Sequence, residues 1–279
     1  MLDAASELSA SQQEVNTMKA QDFDENGIAG PVVRRDLHFF WLVDISGSMA
    51  GTKIQSVNYA IKNVLPKVED LQREERVNVK MRVITFGKGA HWFVGPDPVP
   101  IEEFQWVDID ANEHATATAQ AIELLSSELT LEKMGGRNVP PVAVLLSDGY
   151  STDPESQYDF SIDALNKSPW GGKAVRLSIG ISNDSSSYNK EQLDQFVSPY
   201  LKQAEPPMET LNAKTAESLV NYIKVLTESA IRAVSKPDSK LTSEEAQADA
   251  AIKPAEVPLP YEEDFESIND DEIDWSTPL

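Results

Sequence analysis

Leu37–Val43 reads Leu-His-Phe-Phe-Trp-Leu-Val, and Asp44-Ile45-Ser46-Gly47-Ser48 follows without a break. A run this apolar, with one polar position, fits a strand covered on both faces, as central parallel strands are. Beyond the loop that follows, Ile54, Val57, Ile61, Val64, Val68 and Leu71 recur at spacings of three and four. That spacing lays one apolar stripe along a helix. Pro66 interrupts it, and because proline cannot donate to the carbonyl four residues back, a kink or a helix end is expected there. Buried strand, oxygen-rich turn and amphipathic helix in succession are the opening unit of an open α/β sheet.

The pattern continues downstream. Val79–Phe86 (VKMRVITF) has strand composition with Lys80 and Arg82 on one face, which suits an edge or antiparallel strand. His91–Val94 and Gln105–Ile109 are expected as short strands, and Pro96, Pro98 and Pro100 make their connection a loop. A helix over Thr118–Leu129 precedes a second apolar strand, Val142–Ser147 (VAVLLS), and a third spans Ala174–Ile181. Helices are expected over Glu191–Tyr200 and Lys214–Val234. The fold class is therefore α/β: a doubly wound, mostly parallel open sheet with one antiparallel edge strand.

Charge divides the 279 residues into three parts. The net charge is −22, with 24 Lys plus Arg against 46 Asp plus Glu. From Lys236 onward there are 3 basic and 13 acidic residues, and residues 1–35 hold 3 and 6. The expected organisation is an N-terminal arm over 1–35, a globular domain over 36–235, and an acidic tail over 236–279. So acidic a chain is a poor nucleic-acid or anionic-membrane binder, because both need a basic surface. The absence of cysteine excludes disulfides, thiolate metal sites and a cysteine nucleophile. No signal-like segment and no apolar run near 20 residues is present, so a cytoplasmic location is expected.

In open α/β sheets, ligands sit beyond the carboxyl ends of the strands. Three such places carry short oxygen-bearing side chains: Asp44, Ser46 and Ser48 after the first strand, Thr116 and Thr118 before a helix, and Asp148 after VAVLL. Magnesium takes about six oxygen ligands, some of them water. Hydroxyls are neutral, so an ion they hold keeps its appetite for a further carboxylate. Taken alone, D-x-S-x-S is equally an N-cap and turn. Its recurrence with Thr116 and Asp148 at neighbouring element ends favours a metal site.

This constellation resembles the von Willebrand factor A domain with its metal-ion-dependent adhesion site, over roughly residues 37–234. The resemblance implies that Asp44, Ser46, Ser48, Thr116 and Asp148 hold Mg2+ (or Mn2+ or Ca2+). Thr116 is the match because T-A-T-A-Q-A-I falls into register with the family pattern, and Thr118 is the second candidate. It further implies a non-catalytic adaptor that captures a protein partner through an acidic residue completing the metal's coordination. R-V-I-T-F-G at 82–87 is similar to the bacterial tellurite-resistance branch, the TerY-like proteins. That similarity implies a stress-response or signalling setting with a kinase and a phosphatase as partners. A subunit of an ATPase or chelatase-like assembly is the alternative, and a metal-dependent hydrolase a more distant one.

Catalysis finds no motif in its favour. A phosphoaspartyl phosphatase needs a second acid two residues after Asp44, where Ser46 stands, and no lysine is expected nearby to complete the site. Phosphate-loop, dinucleotide and nucleophile-elbow patterns are missing. Thr152 and Asp153 are read as loop-capping residues, and Trp92, Phe93, Phe104 and Trp106 as packing residues ahead of a partner surface. The last 19 residues hold 8 acids and no base, interrupted by Tyr261, Phe265, Ile268, Ile273 and Trp275. Acidic segments with interspersed aromatics fold onto basic grooves, so these five are the candidate contacts of a second, basic protein partner. A tail carboxylate seated in the chain's own metal site is the competing expectation.

Overall fold

A computed structural model describes residues 34–134, 138–182 and 188–235. Residues 1–33 of the expected arm and the tail from 236 lie outside the described residues, and with them Tyr261, Phe265, Ile268, Ile273 and Trp275.

Strands β1 (Arg35–Asp44), β2 (Val77–Phe86), β3 (Ala90–Pro100), β4 (Val142–Ser147), β5 (Val175–Ile181) and β6 (Leu211–Ala213) form one sheet in the order β3-β2-β1-β4-β5-β6. All neighbours are parallel except the β2–β3 pair. The helices are α1 (Thr52–Glu74), α2 (Thr118–Glu128), α3 (Leu131–Met134), α4 (Glu155–Lys167), α5 (Lys190–Phe196), α6 (Pro199–Lys202) and α7 (Ala216–Ser235).

The two faces of β1 explain its apolar run. Leu37, Phe39, Trp41 and Val43 pack with Val57, Ile61, Val64 and Val68 of α1 and with Leu219, Ile223 and Leu226 of α7. Phe40 and Leu42 point the other way, into a core with Ile122 and Leu125 of α2 and Tyr158 and Leu165 of α4. Alternation has period two, so a strand covered on both sides needs apolar residues at consecutive positions. The chain leaves β1 for β2 on one side and later enters β4 on the other. The gap between the ends of β1 and β4 is the point where the winding reverses, and there the carboxyl ends of the strands open onto a crevice.

Several local expectations are corrected. Helix α1 runs through Pro66 without ending. Pro66 lies on its exposed side, where water can satisfy the carbonyl the ring leaves without a donor. Strand β2 is not an edge: it lies parallel to β1, and β3 is the antiparallel edge beyond it. Its polar positions are matched instead, Lys80 with Asp36 at 2.5 Å and Arg82 with His38 Nδ1 at 3.2 Å. Pro96, Pro98 and Pro100 lie within β3, where an edge strand tolerates missing N–H donors. Gln105–Ile109 is not a strand. Its polar groups are met by the Asn58 side chain of α1, which donates to Ile109 O at 2.9 Å and accepts from Ile109 N and Trp106 Nε1 at 3.0 and 3.1 Å. Glu191–Tyr200 is two short helices, α5 and the start of α6. Helix α4 and strand β6 have no counterpart among the expected elements.

Candidate functional site

Strand β1 delivers Asp44, fully buried, to the crevice. Asp44 Oδ1 accepts the Ser46 N–H at 2.8 Å, and Oδ2 accepts the Ser147 hydroxyl at 2.6 Å. Burial pushes its carboxyl up to about 6, the bonds from Ser147 and Ser46 pull the other way, and the nearby Asp148 charge adds to the rise. The loop past Asp44 is pinned by Glu113, whose N–H donates to Ile45 O at 3.1 Å and whose carbonyl accepts from Gly47 N at 2.6 Å. Gly47–Met49 then forms a single 3-10 turn.

This turn brings Ser46 and Ser48 together, their Oγ atoms 3.0 Å apart. Neither hydroxyl caps a helix: Ser46 begins the turn with no side-chain cap bond, and Gly51 precedes α1 with none. The N-cap reading of D-x-S-x-S is therefore set aside.

From the second loop comes Thr116, buried at 4% exposure. Its backbone is held on both sides, Thr116 N donating to Thr152 Oγ1 and Thr152 N donating to Thr116 O, each at 3.0 Å. Its own hydroxyl makes no hydrogen bond among the described residues. Thr118, the second candidate, opens α2 with a buried hydroxyl that has no partner among the described residues. Asp153 Oδ2 accepts the Ala119 N–H at 2.7 Å and so caps α2 in trans.

The third loop holds Asp148, 1% exposed, after β4. Gly149, at φ +77°, turns the chain there, and Asn189 N donates to Asp148 O at 2.8 Å. Lys53, in the first turn of α1, reaches across to Asp148 Oδ2 at 3.3 Å. A lysine thus does stand beside Asp148, contrary to expectation. A helix-periodic reading counts Lys53 only as a residue off the apolar stripe, and its partner is 95 positions away. Ser147 was equally silent, being one more small residue of a buried strand.

The donor set decides whether a divalent cation suits these residues. The Ser46 and Ser48 hydroxyls share a hydrogen bond at 3.0 Å, which puts both oxygens within reach of one ion. The Thr116 hydroxyl has no competing bond, and Asp148 supplies the anion. Among the described residues no three His, Asp or Glu side chains converge as a metal cage. What is present is a set of mainly neutral oxygens backed by carboxylates, which fits an ion that retains charge for an outside ligand.

The aromatics read as packing residues sit as follows. Phe104 is buried and Trp106 half-buried, with ring centroids 6.5 Å apart, while Phe93 is exposed with its ring 6.1 Å from Trp106. His114 is exposed. No described helix is long and apolar enough to cross a membrane.

This is an open α/β domain with a crevice at the carboxyl ends of its strands, where such sheets bind their ligands. The family model of the von Willebrand factor type A domain matches residues 38–219, and the chain belongs to that family. Similar solved structures include a von Willebrand factor type A protein from Catenulispora acidiphila, at 14% identity and TM-score 0.51 over 71% of this chain and 43% of that one. Proximal thread matrix protein 1 from the mussel byssus, in its second crystal form, aligns at 13% identity and TM-score 0.51 over 72% and 48%. The open conformation of the pilus adhesin SpaC from Lactobacillus rhamnosus GG aligns at 14% and TM-score 0.50 over 72% and 30%. At such identities the likeness is one of fold, and the chain spans less than half the length of each. No curated protein matches.

Proposed function

We propose that this chain recognises a protein partner through a divalent cation and catalyses no reaction of its own. The Ser46, Ser48 and Thr116 hydroxyls with Asp148 would hold the ion, and Asp44 would stand behind them, oriented by Ser147. When bound, the ion supplies a Lewis-acidic position that a carboxylate of the partner can take.

The observation that carries this reading is the pair of serine hydroxyls 3.0 Å apart in the loop after β1, at the switch point of a sheet whose strand ends there also bear two buried carboxylates, Asp44 and Asp148. The burial of Asp44 speaks against a nucleophile. Both of its oxygens already accept hydrogen bonds, and it has no exposed surface with which to meet a substrate.

The likeness of Arg82–Gly87 to the tellurite-resistance branch favours a stress-response or signalling setting. Within it, the acidic tail with Tyr261, Phe265, Ile268, Ile273 and Trp275 would engage a second, basic partner.

Water-proton relaxation of the Mn2+-loaded chain tests the carboxylate step. A short peptide with one glutamate should displace metal-bound water and lower the relaxivity, and its glutamine counterpart should leave it unchanged. Equal effects of the two peptides, or none, contradict the reading.

A further inference from the structure

Lys53 stands where the electrostatics of its own helix disfavour it. It occupies the first turn of α1, which holds no acidic residue. The N-terminal end of a helix carries partial positive charge, so a cation there is repelled. Yet its side chain is only 11% exposed and is turned onto Asp148, whose side chain is 2% exposed, with Nζ 3.3 Å from Oδ2. Among the described residues this is the one ion pair that either Asp44 or Asp148 makes. The other lysines and arginines that form ion pairs do so with acids elsewhere. Lys53 is therefore the resident countercharge of Asp148, a buried carboxylate that also raises the pKa of its neighbour Asp44.

We infer that the Lys53 ammonium is a tethered competitor for the divalent cation, one that sets the concentration at which the site loads. This inference rests on the metal reading of the same site. Asp148 Oδ2 is the atom Lys53 faces, and Asp148 is the anion proposed as metal ligand. Two cations cannot share one carboxylate at close range without repulsion, which grows as the surroundings exclude water. Loading the site therefore weakens the hold of Asp148 on Lys53 and favours its release. Its long, rotatable stem permits that, and the compact ammonium is readily hydrated once outside. Metal binding is then an exchange of one cation for another, weaker than the ligands alone would give. In return, the carboxylates keep a countercharge whether or not a metal is bound.

The test is calorimetric titration of Mg2+ and Mn2+ into the full chain, with Lys53→Met, Lys53→Gln and Lys53→Arg variants. Removing the ammonium should tighten binding about tenfold in the Met and Gln variants, while Arg, which keeps the charge, should stay near wild type. Melting in a chelator should show Lys53→Met less stable than wild type, and excess Mg2+ should raise its melting temperature by more. The unmodified chain gives an independent reading. The Lys53 side-chain carbon resonances, assigned by their loss in the Arg variant, should shift as Mg2+ is added. Unchanged or weaker metal binding in the Met and Gln variants, or a Lys53 signal indifferent to Mg2+, overturns the inference while leaving the metal site in place. Absence of binding by every chain overturns the metal reading and this inference together.

Discussion

The Ser147 hydroxyl donates to Asp44 Oδ2 across 2.6 Å, and the Gly149 N–H donates to that hydroxyl at 2.8 Å. One small side chain thus ties the end of β4 to the end of β1, at the gap where the winding of the sheet reverses. It fixes the orientation of the buried acid behind the serine pair.

Ser147→Ala leaves a buried carboxylate oxygen and a buried N–H without partners. Such losses cost about 1–3 kcal/mol, with charged groups at the upper end. Urea denaturation of the chelator-treated variant should therefore show a loss of about 2–3 kcal/mol. A change below about 0.5 kcal/mol, the range of ordinary surface substitutions, would contradict this role.

Gly149 turns the chain at φ +77°, and a Cβ there would stand 2.7 Å from Asn189 O and 2.8 Å from Leu193 Cγ. Gly149→Ala combines left-handed strain with a backbone clash, so a loss of about 2 kcal/mol or more is expected. The Asp148 carbonyl bond to Asn189 N should open as well, visible as faster amide exchange at Asn189. An unchanged midpoint and unchanged exchange would show that the loop adapts freely.

Asn58 joins α1 to the segment that precedes the Glu113 anchor through three hydrogen bonds. Asn58→Ala strands the Ile109 backbone and the Trp106 ring nitrogen, with an expected cost of about 2–3 kcal/mol. Trp106 fluorescence should shift with the altered environment. A variant as stable as wild type would mean the segment is held by its apolar packing alone.

His38 provides a pH-dependent term. Burial, then the Arg82 and Lys80 charges, lower its pKa from 6.5 to about 4. The unfolded chain thus takes up this proton near pH 6.5 and the folded chain only near 4. Stability from the neutral imidazole is present above pH 6.5 and lost as pH falls toward 4, by up to about 3 kcal/mol. His38→Gln cannot take up that proton, so its stability relative to wild type should rise between pH 7 and 4.5. Comparing the two chains by urea denaturation cancels the opposite trend of Asp44, whose raised pKa favours the folded state as pH falls below about 6. Parallel pH profiles would contradict a neutral buried His38.

What could be read in advance follows from the range of the forces involved. Leu37–Val43 and Val142–Ser147 announced buried parallel strands because double burial writes itself into consecutive residues. Asp44, Ser46, Ser48 and Asp148 stood out because they follow directly on those strands, and Thr116 because it stands just before a helix. Helix α4 was harder. Its inward stripe is Tyr158, Ser161, Ile162 and Leu165, with a serine inside while Phe160 lies 69% exposed outside. Gln105–Ile109 has strand composition, but its backbone bonds go to the Asn58 amide, 51 residues from Ile109. The Lys53–Asp148 pair and the Ser147–Asp44 bond span 95 and 103 residues, distances over which local pattern carries no signal.

The central claim is that the serine pair and its carboxylates hold a divalent cation. Calorimetric titration of Mn2+ into the full chain and into a Ser46→Ala, Ser48→Ala double variant tests it most directly. Saturable one-to-one binding by the wild type, weakened at least tenfold in the variant, is the predicted result. Equal affinity in the two chains, or no binding by either, would contradict it.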